Sequence, residues 1–293
     1  MTDIAGGIAV VSGGASGIGF AMAEALARRG ARIAIGDIDA AAAGQAAERL
    51  REAGADAIGL PLDVADRASW DALALSVEQA MGPVRILCNN AGVGTGRRMA
   101  ADIPAADWQW IHAVNLGGVF HGVQCFLPRM QASGQGGHIV NTGSILGQFA
   151  LAGQGAYVAT KFAVTGFTEA LRMELRDSGI GVSLLCPGLV ETGLARHSAS
   201  RRPSSAGDAP QPPLSAATQP IGMAPGPIGE QVADAIERNR FYIFSHAEYR
   251  PVVAARMEEI LAGFETSADA DYQEEIRFLA AGFPQFAGRR DKS

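Results

Sequence analysis

This 293-residue chain is short of several things, and each shortage narrows what it can be. It has three cysteines, Cys88, Cys125 and Cys186, odd in number and widely spaced among apolar neighbours. That excludes a disulfide framework and reads as reduced core thiols. Its five histidines form no His-x-x-x-His pair and no Cys/His cluster, so no metal is expected. No apolar run approaches the ~20 residues needed to span a bilayer. The start, MTDIAGGIAVVSGG, carries an acid where a secretory signal carries a base. Basic residues never run longer than a pair and the net charge is −6, which argues against nucleic-acid phosphates as partners. These shortages predict a soluble cytoplasmic protein with a small-molecule partner, and neither nucleic acid nor membrane. Tyrosine is scarce too: Tyr157 is the only one in the first 240 residues.

What is present suits one large α/β core, since 48% of residues are apolar and 18% charged. Short β-branched runs alternate with stretches of helical period. IAVVS (8–12), RIAIGD (32–37), DAIGLPLD (56–63), RILCNN (85–90), HIVNTGS (138–144) and GVSLLCPG (181–188) read as strands. The helices between them include one stripe of Ile18, Met22, Ala25, Leu26 and Arg29, one around Trp70–Ala80, a longer one after Pro104, and one from about Gly155 to Asp177. Six such units predict a doubly wound parallel sheet of order 3-2-1-4-5-6, with FYIF as a seventh strand. Residues 195–227 hold seven of the fourteen prolines and show no period. A linker is one reading. A flap over 193–227 within a single domain, 1–293, fits better, because too little chain follows to build a second one. IGEQVADAIERN and 250–281 read as further helices, and 246–293 as a helical C-terminal extension.

The first strand runs into SGGASGIG, which opens the first helix. Gly13 permits a tight turn, and Gly17 and Gly19 allow close approach to a pyrophosphate at the helix N-terminus, with Ser16 and Ile18 beside it. The second strand ends at Asp37, twenty residues past Gly17, where an acid would accept hydrogen bonds from an adenosine ribose and repel a 2′-phosphate. Neither Ser16 nor Ile38 is basic, so NAD is the expected cofactor. The bland account of Asp37 is an N-cap or turn acid, with Asp39 close by. In YVATK, Tyr157 and Lys161 share one helix face a turn apart. Alone, that pair is an ordinary solvated face.

Taken together, G-x-x-x-G-x-G, NNAG (89–92), Asn115 in VNLGG, Ser144 in NTGS, Tyr157 with Lys161, and PGLVET (187–192) resemble the short-chain dehydrogenase/reductase family in its single-domain form. Ser12 stands where the family usually has Thr. A looser likeness, in the flap and YRPVVAARMEEIL, is to members that oxidise benzylic alcohols of lignin-derived aryl ethers. The resemblance implies an oxidoreductase in which Tyr157 exchanges the proton at the substrate oxygen. Lys161 would favour the phenolate and bind the nicotinamide ribose, Ser144 would polarise the oxygen, and Asn115 would hold a water leading to solvent. It also implies that Asn89, Asn90, Ala91 and Gly92 floor the adenosine pocket and that Asp63 and Val64 meet the adenine. Pro187, Gly188, Val190 and Thr192 would close over the nicotinamide, and the chain would form a homodimer or homotetramer through the helices bearing Asn115 and Tyr157.

The rival from another class is a catalytically inactive dinucleotide-binding sensor of this fold, which has little use for Ser144, Asn115, Tyr157 and Lys161 together. An epimerase of the extended relatives would need a shorter glycine loop and a sizeable substrate domain. The expected substrate wall, Val93, Met99, Ile145, Leu146, Phe149, Leu151, Leu189 and Leu194, is apolar. It predicts a bulky, uncharged secondary alcohol or ketone. Arg97, Arg98, Arg196, Arg201 and Arg202 are the charges that could contradict this from the rim.

Overall fold

The computed structural model describes residues 2–203 and 222–264. Seven strands form one all-parallel sheet in the order β3-β2-β1-β4-β5-β6-β7. They are β1 (Ile8–Ser12), β2 (Arg32–Asp37), β3 (Ala57–Pro61), β4 (Val84–Asn89), β5 (Gly137–Thr142), β6 (Ile180–Cys186) and β7 (Tyr242–Phe244). The helices are α1 (Gly17–Arg28), α2 (Ala40–Glu52), α3 (Arg67–Ala80), α4 (Ala105–His112), α5 (Gly118–Ser133), α6 (Gly155–Glu174), α7 (Leu194–Arg201), α8 (Pro225–Glu237) and α9 (Arg250–Ala262).

Both faces of the sheet are covered, as parallel strands with continuous apolar runs require. On one face Met22, Leu26, Ala47, Leu50, Val232 and Ile236 from α1, α2 and α8 pack on Val11, Ile33 and Ile35. On the other, Trp70, Val77, Phe126, Met130, Val164 and Leu171 from α3, α5 and α6 pack on Val10, Leu87 and Leu184. The strand order reverses between β1 and β4, whose neighbours lie on opposite sides, so the crevice for a ligand opens beyond the carboxyl ends of those two strands. All three cysteines are free and buried.

Two features differ from the sequence expectation. The helix after Pro104 is interrupted at Ala113–Gly117 by one turn of π-helix between α4 and α5. That turn carries Asn115, which is fully buried. The stretch without visible period begins with α7, a single short helix whose positioning comes from side-chain contacts elsewhere in the fold. Residues 204–221, the centre of the expected flap, and 265–281 of the expected last helices lie outside the described residues. The chain divides into two compact units, Met1–Arg250 and Pro251–Ser293. In the second, Val252, Met257, Ile260 and Leu261 of α9 are exposed. No helix among the described residues is long and apolar enough to cross a membrane.

Candidate active site

The glycine loop after β1 is built for a close neighbour. Gly13 and Gly17 adopt φ of +62° and +55°, which other residues rarely take. A Cβ on Gly13 would lie 2.8 Å from the Ala91 Cα, and one on Gly17 would lie 3.1 Å from Thr192 Cγ2. Ser12 ties this loop to NNAG: its hydroxyl accepts from the Asn90 and Ala91 amides at 3.0 and 3.2 Å. Asn90 returns the contact, its side-chain amide donating to the Ser12 and Gly13 carbonyls. Asn89 sits a layer deeper. It is buried and donates to Asn141 at 2.9 Å across the β4–β5 register, while Asn141 donates to Thr168 at 3.1 Å. Asn89 is therefore a strut beneath the pocket floor.

Asp37 and Asp39 divide two tasks that the sequence left to either. Asp39 caps α2, accepting from the Ala42 amide at 2.9 Å. Asp37 is freed from capping. Its carboxylate, buried at the end of β2, accepts from the Asp39 and Ala15 amides at 3.1 and 3.4 Å. Ser16 at the N-cap of α1 makes no capping bond, and no acid lies in the first turn. First-turn amides, a positive helix end and an adjacent carboxylate form a donor set that fits a dinucleotide: diphosphate at the helix, ribose at Asp37. Ile38 is exposed and Val64 is buried against Gly118. Asp63, at the rim, accepts from the Ala65 amide at 3.0 Å.

Ser144, Tyr157, Lys161, Asn115 and Gly92 converge beyond β4 and β5. Ser144 is buried after β5 and accepts from the Leu146 amide at 3.1 Å, which fixes the hydroxyl. It stands beside the Tyr157 phenol. A Cβ on Gly92 would lie 3.3 Å from Asn115 Oδ1 and 3.7 Å from Lys161 Nζ, so these three meet at one point. Burial raises the pKa of Tyr157 above its usual value, and the neighbouring Ser144 hydroxyl opposes this. Lys161 Nζ, 5.5 Å from the Tyr157 ring centre, donates to the Thr142 carbonyl at 3.0 Å. Burial lowers Lys161 to about 8, with a small opposing contribution from Cys186. Desolvation thus acts on both groups, and the phenol is not lowered by its neighbour in this arrangement. The Asn115 amide is spent within the protein. It accepts from the Val93 amide at 2.8 Å and donates to the Val93 carbonyl and Thr160 at 2.9 and 3.2 Å.

The expected substrate wall is split in depth. Val93 and Ile145 are buried, Leu146 and Phe149 half-buried, and Met99, Leu151, Leu189 and Leu194 exposed. A cleft of about 190 Å³ opens among Arg97, Arg98, Met99, Ala152 and Gly153. Two of the rim arginines are engaged here: Arg97 donates to the Ala152 carbonyl at 3.3 Å, and Arg98 lies 3.9 Å from buried Asp107.

Several residues that hold this site carry no local signal. Gly188, in the loop after β6, donates to Ser245 and to His246 Nδ1, both at 3.2 Å. His246 Nε2 lies 2.9 Å from the Leu189 carbonyl. With Nδ1 accepting from an amide, the ring's proton is on Nε2 and donates to Leu189. Tyr249 packs beside His246 and faces Phe149, with ring centres 6.0 Å apart. Met223 returns to pair with Leu189–Glu191 through two backbone hydrogen bonds of 3.0 Å. On α7, Ser198 accepts from the Gly94 amide at 2.9 Å, and Arg202 grips Asp107 with two hydrogen bonds of 2.6 and 2.8 Å. A buried Asp in a sequence with 30 acids has no distinguishing neighbours, so only the fold reveals it.

Residues 7–203 match the family model for short chain dehydrogenase. The chain is 32% identical over 277 residues to the CLA biosynthesis dehydrogenase/reductase of Lactiplantibacillus plantarum, covering 89% of this chain and 95% of that one. It is 33% identical to the C alpha-dehydrogenase of Sphingobium sp. (strain NBRC 103272 / SYK-6), covering 89% and 87%. A crystal structure of a short chain dehydrogenase/reductase from Burkholderia phymatum in complex with NAD superposes with a TM-score of 0.82 at 35% identity, over 92% of this chain and 99% of that one. With glycine loop, acid, serine, tyrosine and lysine gathered at one crevice of a seven-stranded parallel sheet, the chain belongs to the short-chain dehydrogenase/reductase family of oxidoreductases, which bind nicotinamide cofactors and act on small molecules.

Proposed function

We propose that the chain is an NAD-dependent dehydrogenase that interconverts a bulky, uncharged secondary alcohol and its ketone. One observation carries the reading: the half-buried Tyr157 phenol stands beside the buried Ser144 hydroxyl, with Lys161 one helical turn away and its Nζ 5.5 Å from the Tyr157 ring centre. When bound, the nicotinamide ring supplies the hydride acceptor or donor. Tyr157 takes the hydroxyl proton during oxidation and returns it during reduction. Ser144 holds and polarises the same oxygen. Lys161 holds the nicotinamide ribose. The side chain of Asn115 is committed to Val93 and Thr160, so its part is to hold the π turn and the loop after β4 in place, and any water at this point would be held by backbone.

Asp37 supports NAD over NADP, since a 2′-phosphate would meet a buried carboxylate. The apolar wall, with Arg97 and Arg98 engaged at the protein's own groups, supports an uncharged substrate. Pairing through α5 and α6 into a homodimer or homotetramer belongs to the same proposal. Phe120 of α5 is 46% exposed and stands edge-on to Phe167 of α6, which gives that face an apolar patch. The test is NAD reduction across a series of secondary alcohols from 2-propanol to aryl alkyl carbinols. Specificity constants should rise with substrate size. Highest activity on a small sugar or a phosphorylated polyol overturns the substrate assignment, and no reduction with any alcohol overturns the chemistry.

A further inference from the structure

The acid at the end of β2 is not alone. Arg201, in the last turn of α7, places Nη2 3.7 Å from Asp37 Oδ1, across 164 positions of sequence. The Asp37 side chain is 9% exposed and that of Arg201 36%, so the pair lies at the lip of the crevice with its negative end inside. Two anchors hold the helix that presents Arg201: Ser198 on the Gly94 amide and Arg202 on Asp107. Asp107 is fully buried, so Arg202 cannot leave it cheaply. With its neighbour fixed there, Arg201 is held over the end of β2.

The separation of 3.7 Å exceeds hydrogen-bond length, so the guanidinium balances the charge of Asp37 without filling its acceptor sites. A ribose can still donate to the carboxylate. A phosphate esterified at that ribose would meet Asp37 on one side and a planar, bidentate-capable cation on the other. Exposed Ile38 and the loop of residues 13–19 contribute no base of their own.

We propose that Arg201 is a specificity-determining residue of the cofactor site: carried on α7, it offsets Asp37 at the adenosine ribose and weakens discrimination against a 2′-phosphorylated dinucleotide. The inference rests on Asp37 being the ribose acid. It makes cofactor preference a joint property of β2 and of a helix lying beyond β6.

Calorimetric titration of the whole protein with NAD+ and NADP+, for the wild type, Arg201→Ala and Asp37→Ala, decides it. Arg201→Ala should raise the ratio of the NADP+ to the NAD+ dissociation constant by about tenfold, chiefly by weakening NADP+. Arg201→Lys should restore part of that loss, and 2′-AMP should lose affinity in Arg201→Ala while 5′-AMP does not. Asp37→Ala should lower the ratio. A ratio within twofold of wild type in Arg201→Ala overturns the role of Arg201 if Asp37→Ala still shifts it. If Asp37→Ala shifts nothing either, the ribose assignment falls and the inference with it. A thermal melt checks that each variant is folded, and Arg201→Gln replaces Arg201→Ala if that variant is not.

Discussion

Two regions of this molecule meet at the crevice and are built on opposite plans. The catalytic region uses neighbours in sequence and adjacent strands. Tyr157 and Lys161 share a face of α6, Ser144 follows β5, and Asn89 and Asn141 pair in register across β4 and β5. The covering region, from Pro187 to Arg202 with 222–249, is held by long-range side-chain contacts: Arg202 on Asp107, Arg201 on Asp37, Ser198 on Gly94, His246 on Gly188 and Leu189. The first plan gives the fixed geometry that the proposed proton transfer needs. The second gives a cover whose position depends on a few charged contacts, and so can set specificity without touching the chemistry.

The sharpest break between the regions is Tyr157→Phe. It keeps the ring among Val93, Ile111 and Ala156 and removes only the phenol oxygen. Turnover should fall by about 10²–10⁴ with NAD binding nearly intact. Stopped-flow hydride transfer with equilibrium NAD titration measures both, and turnover within a few-fold of wild type contradicts the assignment.

On the covering side the largest expected effect is on stability. Asp107→Asn removes the negative charge that Arg202 grips while leaving the site's oxygen and amide groups alone, and should cost about 3–5 kcal/mol as a broken buried ion pair. Denaturant unfolding reads this, and a cost under about 1 kcal/mol would mean that α7 is not held through Asp107.

Lys161→Met sets stability against function. In the folded chain Lys161 titrates near 8, below its usual 10.5, so between those values the unfolded chain binds more protons. Wild-type stability therefore rises with pH across that window, and the full penalty applies below pH 8. The variant escapes it and should be more stable by about 3 kcal/mol at pH 7, the gain fading towards pH 10.5. It should also lose turnover and cofactor affinity. A variant less stable than wild type at pH 7 would show that the Thr142 hydrogen bond outweighs desolvation.

The smallest effect expected is on the cover alone. His246→Phe keeps a ring beside Tyr249 but leaves the Gly188 amide and the Leu189 carbonyl without it. The nicotinamide-side loop should loosen, raising the KM for NAD several-fold with little change in kcat. A fall in kcat with unchanged KM would assign His246 to the chemistry instead.

Much of the fold was legible because parallel strands covered on both faces leave long apolar signatures, and six strands were readable in IAVVS, RIAIGD and their successors. α7 was not legible, since LARHSASR has no apolar stripe and its place is decided by Asp37, Asp107 and Gly94. Nor was the π turn that carries Asn115, because it adds one residue to a helix without altering its composition. One signal was available in the catalytic region beyond the motif: the chain has only two lysines, Lys161 and Lys292, so a lysine one turn from a rare tyrosine is not a generic solvated face.

By itself the sequence determined the sheet, its order, the glycine turn at the helix N-terminus and the Tyr157–Lys161 face. All of these follow from local periodicity and from the few topologies that right-handed crossovers permit. Only the tertiary structure decided which of Asp37 and Asp39 caps α2 and which faces the crevice. It alone placed Arg201 on Asp37, and it alone put Tyr157 and Lys161 in surroundings dry enough to shift both. Burial and long-range charge pairing depend on what the rest of the chain brings alongside, and no window of sequence contains that.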